Sequence, residues 1–130
     1  MVRRKISETG GFAALRAFLQ NSGISPQTLA TAVRFSLQEL SATAPGEAVE
    51  VRVPPYGATQ CLQGGQHRRG TPPNVVETDA LTWLALSCGK TTWERAVRDG
   101  KILASGSKAE DLATVLPVFS TSFCARLSAE

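Results

Sequence analysis

The sequence predicts an α/β (α+β) fold, with an N-terminal helical pair followed by a sheet and its covering helices. Three observations predict it. Near Val49 the apolar period changes from near four to two, the switch from helix to strand. Upstream, Ser25-Pro26 is a strong helix start, with Ser as N-cap and Pro at the first helical position. Downstream, two short helical patterns each run into Gly-Lys, and the second leads on to an apolar strand. The chain of 130 residues suits one domain. Its 42% apolar content is ordinary for a globular chain and too high for a disordered one. The expected layout is N-terminal helices over 1–45, sheet and core helices over 46–119, and a tail or short helix over 120–130.

Taken in order, the first helix is expected over Glu8–Asn21, with Phe12, Leu15 and Leu19 on one face, Phe18 beside them and Gly23 as the stop. In the second, Leu29, Val33, Leu37 and Leu40 form a stripe that ends at Pro45-Gly46. Val49, Val51 and Val53 alternate with Glu50 and Arg52, a strand with one wet face. Tyr56–Leu62 reads as a second strand and Asn74–Thr78 as a third. Asp79 is a plausible N-cap, and Leu81, Leu84, Ala85 and Cys88 define one face of the following helix. Gly89 sits where a helix-ending glycine belongs. Thr91 and Glu94 are spaced as a capping box for a further helix that buries Trp93, Ala96 and Val97. Lys101–Ser105 is a strand. Ser107 and Glu110 are spaced as another box, and Leu112, Val115, Leu116 and Phe119 repeat the helical face up to a break at Pro117. Ser120–Leu127 forms one more short helix, aligning Phe119, Phe123 and Leu127.

Several classes of function are excluded by composition. The net charge is only +3, and the basic clusters Arg3-Arg4-Lys5 and His67-Arg68-Arg69 lack the dense stripe and interleaved aromatics of a nucleic-acid binder. No apolar run approaches the roughly 20 residues of a membrane span. The N-terminus does not read as a signal peptide, and the C-terminal Ser128-Ala129-Glu130 does not read as a peroxisomal address. A cytoplasmic location with no stable membrane insertion is expected. Cys61, Cys88 and Cys124 are odd in number and far apart, without zinc spacing, so they are read as reduced thiols.

The stretch SCGKTT ends like a phosphate-binding loop, yet the position five residues before its Gly-Lys holds Leu84 rather than glycine. The loop should also follow a strand, and here it follows a helical stripe. Lys90 would lie at the negative end of the helix dipole, where phosphate is disfavoured. Gly89 and Lys90 therefore read as helix punctuation. His67 is the only histidine, so any Ser-His or Cys-His catalytic arrangement must use it. It lies in a Gly- and Arg-rich loop, where a solvated ring is the commoner state. Asp79 is accounted for by capping and Glu77 by an exposed strand face. Arg68 and Arg69, with His67 beside them, could hold an acidic head group on a ligand or lipid, although a solvated loop is the commoner state of such residues.

The segment VVETDALTWLALSCGKTTWERAVRDGKILASGSKAEDLATVLPVF resembles the C-terminal half of the type-two sterol carrier protein domain. The features that carry the resemblance are Asp79, Leu84-Ala85-Leu86, Gly89-Lys90, Ala96, Gly100-Lys101, Ile102-Leu103, Gly106 and Leu112–Leu116. The phrases VEVRVPPYGATQC and RGTPPNVVETDA are similar to a bacterial, actinobacterial branch of that family. The resemblance implies a sheet of about five strands, mostly antiparallel, covered by helices. It also implies an apolar tunnel between sheet and helices that takes up an acyl chain or sterol-like molecule, without a catalytic residue or cofactor. Trp83, Leu84, Val97, Leu116, Phe119 and Phe123 are the candidate walls. The expected partner is an apolar small molecule or lipid. The alternative is an accessory module with a filled core that binds an enzyme or a second copy of the chain, without ligand transport.

Overall fold

The computed structural model describes residues 5–20, 23–64 and 74–130. The loop holding His67, Arg68 and Arg69 lies outside them. Helix α1 spans Glu8–Leu19 and α2 Pro26–Thr43. Strands β1 (Val49–Val53), β2 (Gly57–Cys61) and β3 (Val75–Thr78) follow, then helices α3 (Ala80–Ser87) and α4 (Trp93–Arg98) and strand β4 (Ile102–Ser105). A 3₁₀ helix covers Ala109–Val115, and α5 covers Thr121–Ala129. The α/β class and the N-terminal helical pair are as expected.

The starts of the longer helices follow the sequence directly. Ser25 Oγ accepts the Thr28 N–H at 3.1 Å, with Pro26 in the first turn of α2. Asp79 caps α3 doubly: Oδ1 accepts the Thr82 N–H at 2.7 Å and Oδ2 the Thr82 hydroxyl at 2.9 Å.

Among the described residues the sheet has four strands, in the order β2-β1-β3-β4, where about five were implied. β2 folds back on β1 as an antiparallel hairpin, with Val51 opposite Thr59. β3 enters on the other side of β1 and runs parallel to it, with Val51 opposite Val76. β4 closes the sheet antiparallel to β3, with Glu77 opposite Leu103. Two of the three pairings are thus antiparallel. The alternation in β1 sends Val49, Val51 and Val53 inward, where they are fully buried with Val76 of β3. Glu50 and Arg52 face outward and form an ion pair at 2.7 Å.

The interior behind the valines is occupied by aromatic side chains. Phe35 of α2 stacks on Phe119, ring centroids 5.9 Å apart, and meets the edge of Phe12 at 5.3 Å. Phe123 of α5 joins Phe12 at 5.1 Å. Four phenylalanines from distant parts of the chain therefore tie the C-terminal helix to the N-terminal pair.

Both Gly-Lys pairs prove to be helix terminators of one kind. At the end of α3 the Lys90 N–H bonds the Ala85 carbonyl at 2.8 Å and the Gly89 N–H bonds that of Leu86 at 3.3 Å. At the end of α4 the Lys101 N–H bonds Ala96 at 2.9 Å and the Gly100 N–H bonds Val97 at 3.0 Å. These are paired Schellman closures, and they place the glycines at φ 75° and 70°. Their surroundings differ. A Cβ on Gly89 would come within 2.5 Å of the Thr121 methyl, while one on Gly100 would meet nothing within 4 Å. Gly100→Ala is therefore expected to cost only the left-handed backbone strain, about 1–2 kcal/mol. Gly89→Ala should cost about 1–3 kcal/mol more from overpacking. Urea unfolding of the two variants checks the order, and equal losses would contradict it.

Four expectations on the C-terminal half need correction. The N-cap of α4 is Thr92, whose hydroxyl accepts the Arg95 N–H at 3.1 Å, and not Thr91. The Thr91 N–H instead turns back to the Ala85 carbonyl at 3.4 Å, so the new helix starts one residue later. Ser107 and Glu110 form no capping box, because the 3₁₀ turn starts from Lys108 without a side-chain cap. The helix expected to break at Pro117 is a 3₁₀ turn that already ends at Val115. Leu116 is extended (φ −104°, ψ 143°), as the clash with the ring of Pro117 requires. Finally, α3 buries Ala80, Trp83, Leu84, Leu86 and Ser87, so of the expected face Leu84 and Cys88 are inside while Leu81 is 57% exposed. Trp83 takes the interior position.

Candidate functional site

The six residues expected to wall a tunnel are not gathered around one space. Trp83 and Leu84 are fully buried. The Trp83 indole N–H donates to Ser36 Oγ at 2.7 Å, and the Ser36 hydroxyl donates to the Val33 carbonyl at 2.7 Å. Phe119 and Phe123 belong to the phenylalanine cluster, their centroids 6.3 Å apart. Leu116 is half-buried against the core. Val97 stands apart on α4 and is 48% exposed, against the expectation that it would be buried.

Two cavities lie along α2, and none of the six residues lines either one. The larger is a half-open cleft of about 780 Å³ between α2, the start of β2 and the segment before α1. Its helix wall consists of Thr31, Arg34, Leu37, Gln38 and Ser41, which the 3.6-residue period places on one side of α2. The opposite wall is Tyr56, Gly57, Ala58 and Thr59, with Lys5 and Ile6 at one end. The smaller cavity, about 350 Å³, runs between α1 and α2 past Gly10, Ala13 and Ala17. Thr31 borders both, so the two are neighbours along the helix.

Three hydrogen-bonded contacts build the cleft. The Gln38 side-chain amide acts as a backbone unit: its Oε1 accepts the Ile6 N–H and its Nε2 donates to the Ile6 carbonyl, both at 3.0 Å. That pair straps the N-terminal segment to α2. The Tyr56 N–H bonds the Val53 carbonyl at 2.8 Å, closing the turn between β1 and β2. Arg34 Nε donates to the Tyr56 carbonyl at 2.8 Å and spans the cleft from helix to turn. Among the described residues neither Arg34 nor Lys5 is in an ion pair, and no carboxylate lines the space.

The cysteines offer no nucleophile. All three are free and buried. Burial pushes the Cys61 thiol up to about 11. Burial also raises Cys88, with Cys124 adding to the effect, and it raises Cys124 in turn. All stay protonated near neutral pH, whereas the reactive form is the thiolate. Among the described residues no cluster of three or more His, Cys, Asp or Glu side chains could hold a metal ion. No helix among them is long and apolar enough to cross a membrane.

The cleft escaped the sequence reading because Thr31, Arg34, Gln38 and Ser41 look like the solvated face of an amphipathic helix. Nothing local announces that a turn and an N-terminal segment will cover it. The one available signal was Tyr56 after two prolines, an aromatic ring held in a turn.

No curated protein matches the chain. A family described as bacterial SCP ortholog matches residues 25–118, from the cap of α2 through the 3₁₀ turn to the segment before α5. That match takes in the whole sheet, both Schellman closures and most of the residues facing the cleft, so the chain belongs to the bacterial sterol carrier protein family.

Proposed function

We propose that the chain is a non-catalytic binding or carrier module for a lipid-like ligand, seated in the cleft beside α2. The observation that carries this reading is the cleft itself. Its volume of about 780 Å³ suits a small molecule, and Ile6, Leu37 and Tyr56 give it apolar wall. Each CH₂ of a ligand chain removed from water there contributes roughly 0.8 kcal/mol before the costs of association. Contacts of this kind discriminate weakly between chain lengths, as suits a carrier. In this reading Trp83, Leu84, Phe119 and Phe123 belong to the packed core and do not touch the ligand.

A second reading has one observation in its favour. The space between sheet and helices holds Trp83, Phe35 and the valines of β1, all fully buried. A filled core suits an accessory module that binds an enzyme without transporting a ligand. Organic extraction of the purified chain, with mass spectrometry and calorimetry against dodecanol, separates the two. The carrier reading expects a retained lipid or saturable uptake near one molecule per chain. The absence of both retained lipid and uptake would overturn it in favour of the accessory module.

A further inference from the structure

The charge around the cleft is one-sided. Lys5 and Arg34 border it, and among the described residues no acidic one does. Arg34 is held in place without being neutralised. Its Nε is committed to the Tyr56 carbonyl at 2.8 Å, while neither terminal nitrogen makes a hydrogen bond or ion pair among the described residues. That leaves the outer edge of a guanidinium, oriented by its third nitrogen, beside a cavity. Such an edge is matched to a carboxylate or phosphate, which can take two parallel hydrogen bonds from it. Gln38, the other long polar side chain on this wall, is used up by Ile6. The cations and the apolar wall share the same space: Ile6 follows Lys5, and Leu37 lies about one helical turn from Arg34.

We infer that Arg34, assisted by Lys5, is the anchor for the acidic head of a single-chain amphiphile whose tail lies against Ile6, Leu37 and Tyr56. This inference rests on the carrier reading and deepens it by naming the ligand's charged end. A head alone has no apolar surface to bury, so the free anion is held far more weakly than the amphiphile. A neutral chain loses the charge-assisted bonds and binds at least about tenfold more weakly than the charged one.

The test is calorimetry at low salt with dodecanoate, dodecyl phosphate, dodecanol, acetate and inorganic phosphate, each below the concentration at which it forms micelles. The unmodified chain should bind dodecanoate or dodecyl phosphate at least about tenfold more tightly than dodecanol, and acetate and phosphate far more weakly. Whichever amphiphile binds tighter identifies the head as carboxylate or phosphate. Arg34→Met should remove most of the preference, and Arg34→Lys should restore part of it. Lys5→Met, at an exposed residue without a partner among the described residues, should weaken the preference without touching the fold. Equal binding of dodecanoate, dodecyl phosphate and dodecanol by the unmodified chain would overturn the inference while leaving the carrier reading intact. So would an undiminished preference in both Arg34→Met and Lys5→Met. If no amphiphile binds, the carrier reading falls together with it.

Discussion

Replacing Trp83 with alanine is expected to lower stability by about 3–5 kcal/mol, the range for truncating a large buried aromatic. Trp83 of α3 is fully buried, and its indole bonds Ser36 of α2 at 2.7 Å. The loss has two parts, which further variants separate. Trp83→Phe keeps most of the volume and gives up the hydrogen bond. Ser36→Ala keeps the ring and leaves a buried N–H without an acceptor, costing about 1–3 kcal/mol. Urea unfolding checks all three. A shifted midpoint with unchanged slope shows that stability changed while the unfolded reference did not. The prediction bears on function as well. A loss below about 1 kcal/mol for Trp83→Ala would mean that the interior is loosely filled, and an interior seat for the ligand would regain support.

Asn74→Ala is expected to cost about 2–4 kcal/mol. Its side chain is 5% exposed and serves two backbone groups at once. Its Nδ2 donates to the Ala48 carbonyl at 2.8 Å, and its Oδ1 accepts the Lys108 N–H at 2.9 Å. Its own carbonyl accepts the Glu50 N–H at 2.9 Å. One residue thus joins the entry to β1, the entry to β3 and the turn that follows β4. Alanine leaves the Ala48 carbonyl and the Lys108 N–H unpaired, each worth about 1–3 kcal/mol where water is kept out. Amide exchange at Lys108 is the specific readout. It should speed up in Asn74→Ala by more than the global loss of stability explains. Unchanged protection at Lys108 would show that the bond is not what holds the turn.

What the sequence made legible was whatever is decided locally. The caps at Ser25 and Asp79, the valine alternation of β1 and the glycine stops at Gly89 and Gly100 depend on a few neighbouring residues, and each was read where it occurs. Features that depend on what a distant segment does were not legible. Thr91 looks like a cap until the Schellman closure of α3 takes its N–H. Val97 looks like a core position until α4 is found lying at the edge. Asn74 looks like an ordinary strand residue, since its partners lie 26 and 34 positions away. The candidate site follows the same rule. The predicted walls were chosen as apolar stripes, and a stripe buried in a packed core is already satisfied by its neighbours. The cleft lies on the side of α2 that carries its polar residues, made concave by Tyr56 and Ile6 from elsewhere in the chain.

SCGKTT illustrates how little a short match decides. Its glycine closes one helix, its second threonine caps the next, and Lys90 Nζ lies 5.9 Å over the Phe18 ring. The same closure recurs at Gly100-Lys101, within the residues matched by the bacterial sterol carrier family. In this chain the repeated Gly-Lys pair is a mark of architecture.

The central claim is that ligand enters the cleft beside α2 while the interior stays closed. The chain has two tryptophans, and only Trp83 is fully buried, so its indole N–H is a reporter on the interior. The most direct measurement is an amide and indole NMR spectrum recorded during a dodecanoate titration. The predicted result is movement of the Gly57, Ala58 and Thr59 amides and of Gln38, with the Trp83 indole signal unmoved. Movement of the Trp83 indole with the β2 amides still would contradict the account and place the ligand between sheet and helices.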